Sequence, residues 1–273
     1  MNRAEDTAHA PDQPLGRSAR PSTRHRYKLT LAYDGTDFHG WQRQDPPEGP
    51  ALRTVQGVLD EALRNLLQQP VRTIGASRTD AGVHAKGQVV QFDAATAIPL
   101  ERIPLAINSR LPDDMEVRGA EIAPPKFDCI NDPISKRYRY RIWNTDERPL
   151  QYRHMVWHCW VSLDLERMND AAQRLVGMHD FAGFAAAGHN RTSTIRTIHN
   201  CHVERHEREV HIVVEGDGFL YNMVRILAGT LSEVGRGYWT PDHIDRILRE
   251  ADRRIAGPTL PPQGLCLEWI KYG

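Results

Sequence analysis

Cysteine is scarce in this chain of 273 residues: Cys129, Cys159, Cys201 and Cys266 are all there is, and no two of them form a C-x-x-C pair. A disulfide framework and a zinc ribbon are thereby excluded, and reduced, partly buried thiols are expected. Long apolar runs are missing as well. No stretch approaches the roughly 18 consecutive apolar residues that cross a bilayer, and no apolar signal-peptide core follows the N-terminal charges. A cytoplasmic protein with no membrane partner is the expectation. Net charge is the third thing lacking, since 35 Lys and Arg balance 35 Asp and Glu. A nucleic-acid binder is more usually basic, so taken alone this sum disfavours a polyanionic partner unless the positive charge is gathered locally.

What is present is ordinary globular material, 40% hydrophobic and 26% charged, in a length that fits about two domains. Residues 1–26 are rich in Pro, Ala, Ser, Thr and Arg without apolar periodicity and read as a disordered leader. From Tyr27 the alternation Tyr27, Leu29, Leu31, Tyr33 predicts a strand. Val55, Val58, Leu59, Ala62, Leu63, Leu66 and Leu67 then mark one face of a helix, behind an N-cap at Thr54 and closed by Pro70. Strands at 71–74 and 88–92, a weak helix at 100–110 and a strand at 116–122 complete a βαββαβ order. The pattern repeats beyond Pro124 and Pro125. Strands are predicted at 137–143, 155–161, 195–204, 210–214 and 266–272. Helices are predicted after Asp164 with Gly177 at the end, at 220–234, and from Thr240-Pro241 to Gly257. The expected fold is α+β: two ferredoxin-like units, residues 27–125 and 126–273, with mainly antiparallel sheets side by side and a catalytic cleft between them.

One segment concentrates reactive side chains. Residues 76–87, A-S-R-T-D-A-G-V-H-A-K-G, lie between two predicted strands and combine Arg78, Asp80, His84 and Lys86 with two glycines. As mere turn chemistry, Asp80 and Gly82 need no function. A loop of about twelve residues in a compact domain is more often a working one. Near neutral pH an aspartate, with an ordinary pKa of about 3.9, is already an anion and needs no base to act as a nucleophile.

The chain resembles the tRNA pseudouridine synthase A family in five ordered motifs between Tyr27 and Tyr272. They are Y-D-G-T at 33–36 with G-W-Q-R-Q at 40–44; R-T-D-A-G-V-H-A at 78–85; K-R-Y-R-Y at 136–140; H-D-F at 179–181; and G-F-L-Y-N-M-V-R at 218–225, with Gly264-Leu265 before the last strand. The resemblance implies isomerisation of uridine to pseudouridine at positions 38–40 of the tRNA anticodon stem-loop, without cofactor or metal, by a homodimer. It makes Asp80 the catalytic aspartate and Tyr138 the residue stacked on the target uracil. Arg78 is expected to hold the flipped-out nucleotide, Arg225 to pair with Asp80 across the cleft, and Leu265 to wall the pocket. Arg43, Arg137 and Arg139 are candidates for RNA contact.

By periodicity alone Tyr138 is a core residue, with Tyr140 and Ile142, beside a stripe of Arg137, Arg139 and Arg141 that is either a solvated face or an RNA contact. Three positions depart from the family: Ser77 replaces a usual glycine, Ile130 a usual arginine, and Ala185 a residue that is often arginine. A non-catalytic RNA-binding module of the same fold competes with the enzyme, although an RNP1-like aromatic run is missing. A metal or thiol enzyme built on Cys159, or on His199, Cys201, His202 and His206, is disfavoured because strand alternation sends neighbouring side chains to opposite faces.

Overall fold

The computed structural model describes residues 23–44, 46, 48–186 and 193–273; residues 1–22, most of the expected leader, lie outside this set. Strand β1 (His25–Tyr33) buries Tyr27, Leu29 and Leu31 on one face as their alternation requires. Helix α1 (Val55–Leu67) starts where the Thr54 hydroxyl accepts the Gly57 N–H at 3.2 Å, and it stops at Gln68 in the left-handed region, φ 50°. Then come β2 (Ile74–Gly75), β3 (His84–Ala94), α2 (Ile103–Asn108) and β4 (Met115–Ala123). The second half holds β5 (Pro133–Trp143), β6 (Trp157–His158), α3 (Leu165–Gln173), β7 (Gly177–Asp180), β8 (Ile195–His206), β9 (Glu209–Gly216), α4 (Met223–Gly235), α5 (His243–Glu250) and β10 (Leu265–Tyr272).

Ten strands form one sheet in the order β4-β1-β3-β10-β5-β9-β8-β7, with β2 on β3 and β6 on β5. The first half contributes β4-β1-β3-β2 and the second β10-β5-β9-β8, so the same ferredoxin-like order occurs twice. The halves meet where β10 pairs parallel with β3, Cys266 opposite His84 and Leu267 opposite Ala85. Alternation on β5 gives the sheet its two characters. Tyr138, Tyr140 and Ile142 are buried in the common core, and Arg137, Arg139 and Arg141 lie on the other face.

Several elements are shorter than their periodicity implies, and in two strands side chains take the backbone groups that a ladder would use. The strand expected at 71–74 shrinks to Ile74–Gly75, since Asp60 accepts both the N–H and the hydroxyl of Thr73 at 2.9 and 2.7 Å. At 155–161 only Trp157–His158 pair, because the Asn144 amide holds the carbonyls of Cys159 and Val161. The helix of 100–110 ends at Asn108, whose side chain bonds both backbone groups of Val117. Gly177, expected to cap α3, instead opens β7 with φ +117°, and α5 ends at left-handed Ala251 rather than at Gly257.

Candidate active site

Asp80 sits on a loop of residues 76–83, shorter than the expected 76–87 because residues 84–87 already belong to β3. The loop is stapled to its neighbour: the Trp41 N–H reaches the Thr79 carbonyl at 3.0 Å, and the Gly82 N–H reaches the Phe38 carbonyl at 3.2 Å. Gly40 permits this approach. Its φ is +86°, and a Cβ there would lie 2.8 Å from the Thr79 oxygen. Along the loop, side chains alternate. Thr79 turns inward, its hydroxyl 2.8 Å from that of Tyr33, and Ser77 turns to the Tyr138 hydroxyl, also at 2.8 Å. Fully buried Gln88 grips the Ser77 backbone, accepting its N–H at 3.1 Å and donating to its carbonyl at 2.6 Å. Arg78 is exposed and Asp80 half-buried.

Asp80 is half-buried, and its partner comes from the second half of the chain. Arg225 Nη1 donates to Asp80 Oδ2 at 3.1 Å and to Asn222 Oδ1 at 2.8 Å, and its Nε donates to the Leu260 carbonyl at 2.7 Å. Three acceptors from three segments fix the plane of the guanidinium. Arg225 lies in the first turn of α4, where a positive side chain opposes the helix dipole, so Asp80 offsets charge from both. Asn222 takes the left-handed conformation, φ 59°, and gives its side chain to Arg225 instead of capping the helix, which is why α4 starts at Met223 rather than at 220. Burial raises the Asp80 carboxyl above its ordinary pKa, and the charge and hydrogen bond of Arg225 pull it back part of the way. The guanidinium that orients Asp80 is thus Arg225 and not Arg78, which is exposed and has no ion pair among the described residues.

The wall beside Asp80 is aromatic and aliphatic. Tyr138 meets Phe219 edge to face, ring centroids 5.2 Å apart at 84°. Leu267 is the cross-strand partner of Tyr138, and Leu265 that of Tyr140, so both leucines share the face of the tyrosines. Burial pushes the Tyr138 phenol up to about 12, with the Ser77 hydrogen bond working against it and the Asp80 charge with it. The ring is a neutral hydrogen-bonding group at physiological pH.

Asp80, Arg225 and Tyr138 are therefore gathered in one place, Leu265 lies buried on the same sheet face, and exposed Arg43 follows the loop stapled to Thr79. Arg137 and Arg139 are not brought to them. They occupy the opposite face, ion-paired with Glu215 and Glu268 at 3.0 Å each, as Arg141 is with Glu209 at 2.7 Å. A groove of about 880 Å³ opens on that face, lined by Arg139, Arg141, Glu209, His211 and Glu268 among others. Of the histidine-rich segment, buried Cys201 lies on the core face and His202 and His206 on the other. Glu204, His206 and His211 do have ligand atoms within 4.8 Å of one another. Both ring nitrogens of His211 are engaged, however, one with Glu209 at 2.7 Å and one with Arg139 at 3.4 Å.

The pattern of residues around Asp80 has relatives. Residues 30–132 and 171–273 match the family model described as tRNA pseudouridine synthase. The chain belongs to that family. Proteins named tRNA pseudouridine synthase A from Thermoanaerobacter sp. (strain X514) and from Geobacter sulfurreducens are 45% and 42% identical to it, over 89% and 90% of this chain and 98% of each relative. A protein named tRNA pseudouridine synthase A 2 from Clostridium perfringens is 40% identical over 90% of the chain and 98% of its own length. The synthase is thus a tRNA-modifying isomerase. Sequence reading of the synthase gives no supporting role to Ser77, Gln88, Tyr33 or Asn222, which hold Tyr138, the Asp80 loop and Arg225 in place. Gln88 alone carries a visible signal, a polar residue facing inward beside Val89 and Val90 in a strand.

Proposed function

We propose that the synthase converts uridines at positions 38–40 of the tRNA anticodon stem-loop, with Asp80 as the catalytic carboxylate. The observation that carries this reading is the half-buried Asp80, ion-paired to a fixed Arg225 and set against the Tyr138–Phe219 wall. A flipped base costs a few kcal/mol to extrude and needs an aromatic surface to replace lost stacking. Tyr138 supplies that surface. The carboxylate then acts by attack at C1′, by addition to uracil C6, or by removing a sugar proton. On each route the C1′–N1 bond breaks, the uracil turns, and C5 bonds to C1′. The hydrogen on C5 leaves as a proton and N1 gains one from solvent, so no cofactor or metal is called for. Arg78, exposed on the loop that carries Asp80, and Arg43, exposed beyond the loop bonded to Thr79, are the candidates to meet phosphates.

With tRNA carrying tritium at uracil C5, the protein releases the label in proportion to pseudouridine formed, and sequencing of the product places it at positions 38–40. Binding without release would favour the non-catalytic RNA-binding module. Label released with pseudouridine at other positions would overturn the anticodon-arm assignment.

We further propose that the protein is a cytoplasmic homodimer joined through the sheet face of Arg137, Arg139 and Arg141. Each arginine there is neutralised by a carboxylate, so the face meets its own copy without like-charge repulsion and has little to attract RNA. No helix among the described residues is long and apolar enough to cross a membrane. Light scattering is expected to give twice the chain mass of 31.1 kDa, and Arg139→Glu to return it to the single-chain value. A wild-type protein of single-chain mass at micromolar concentration would refute the dimer.

A further inference from the structure

The Ser77 hydroxyl lies 2.8 Å from the Tyr138 hydroxyl, a contact between the loop that carries Asp80 and a strand of the other ferredoxin-like unit. Ser77 cannot drift. Gln88 clamps both its backbone groups from the interior of β3, and Gln88 is itself sealed from solvent. Two residues on, the Thr79 hydroxyl lies 2.8 Å from that of buried Tyr33. The ring of Tyr138 is held on one side by Phe219 and at its tip by Ser77. Its orientation relative to Asp80 is therefore set from Gln88 outward, through one serine hydroxyl.

We propose that Ser77 is a positioning residue of the synthase: its hydroxyl fixes the Tyr138 ring against the Asp80 loop, so that the face offered to the target base is set before the nucleotide arrives. This rests on the reading in which Asp80 and Tyr138 act on uridine. A glycine, the residue usual at this position in the family, provides no such bond, so the device belongs to this chain. Preorganisation of this kind lowers the ordering cost at the reacting geometry and leaves the distant tRNA contacts untouched, so it acts on kcat more than on KM.

A double-mutant cycle on full-length protein with intact tRNA tests it. Ser77→Ala is expected to lower kcat about fivefold, the worth of one hydrogen bond, with KM within about twofold and the protein still fully folded at the assay temperature. In the Tyr138→Phe background, where the phenol oxygen is gone, Ser77→Ala adds nothing further. Labelling tyrosines with ¹³C at Cζ gives a readout apart from turnover: the Tyr138 resonance, identified by its loss in Tyr138→Phe, shifts in Ser77→Ala. Equal losses from Ser77→Ala in both backgrounds, an effect confined to KM, or an unmoved resonance would overturn the proposal. A wild-type protein that releases no tritium would overturn the underlying function instead, so the two failures are told apart.

Discussion

Asp80→Asn synthase folds, binds tRNA and forms no pseudouridine. The expected loss is on the order of 10⁴-fold or more, the scale seen when a single reacting group is removed from an otherwise intact site. The fold should tolerate the change, since Arg225 keeps its bonds to the Leu260 carbonyl and to Asn222. One of three acceptors is weakened, and a hydrogen bond to a charged group contributes about 1.5–3 kcal/mol. Asparagine matches aspartate in size and retains an oxygen for Arg225, but it has neither the charge nor the nucleophilicity. Tritium release at one-hundredth of the wild-type rate or faster would end the assignment of Asp80 as the reacting carboxylate, and loss of tRNA binding in parallel would point to a structural role.

Removing the guanidinium is the second severe change, and it has a pH signature. Burial already drives the Asp80 carboxyl upward, and Arg225 is the named counterweight. In the wild type, activity requiring ionised Asp80 rises with pH through a value above the ordinary carboxylate pKa, then levels off. With Arg225→Gln the counterweight goes, burial acts unopposed, and that limb moves to higher pH. On the plateau the loss should still be about 10²-fold, because a preorganised cation no longer orients the carboxylate. Arg225→Lys is intermediate. A lysine restores the charge but cannot bond Asp80, Asn222 and the Leu260 carbonyl in one plane. An acid limb of kcat/KM that stays in place in Arg225→Gln would show that Arg225 does not govern Asp80.

Periodicity and capping carry far in this chain, and they stop at recognisable places. The doubled strand order follows from alternation and amphipathic spacing, as with Tyr27-Leu29-Leu31 and the Val55 to Leu67 helix. Where the reading runs long, at Thr73 and Cys159, a polar side chain distant in sequence, Asp60 or Asn144, has taken the backbone groups, and such partners have no local signature. The site divides along the same line. Asp80 and Arg78 are conspicuous because reactive residues crowd a loop, and the pairing of Asp80 with Arg225 was reachable only through motif resemblance, since 145 positions separate them. The arginine stripe on β5 is plain in the sequence, but its neutralisation is not. Glu215, Glu268 and Glu209 come from β9 and β10, and only sheet order brings them beside it. Ser77 looks like an idle substitution until Tyr138 is found above it.

The placement of β10 also bears on synthesis at the ribosome. This strand is the last in chain order, yet it lies in the middle of the sheet, between β3 and β5. While translation has not reached it, both neighbours expose unpaired strand edges, which invite wrong pairing. The first ferredoxin-like unit can collapse during elongation, but the second lacks its own strand β10, and the two have no shared strand ladder until Cys266 and Leu267 settle beside His84 and Ala85. An emerging chain therefore carries Asp80 and Arg225 as strangers for almost the whole of its manufacture. The ladder that joins the half carrying Asp80 to the half carrying Arg225 is thus made by the strand synthesised after both of them.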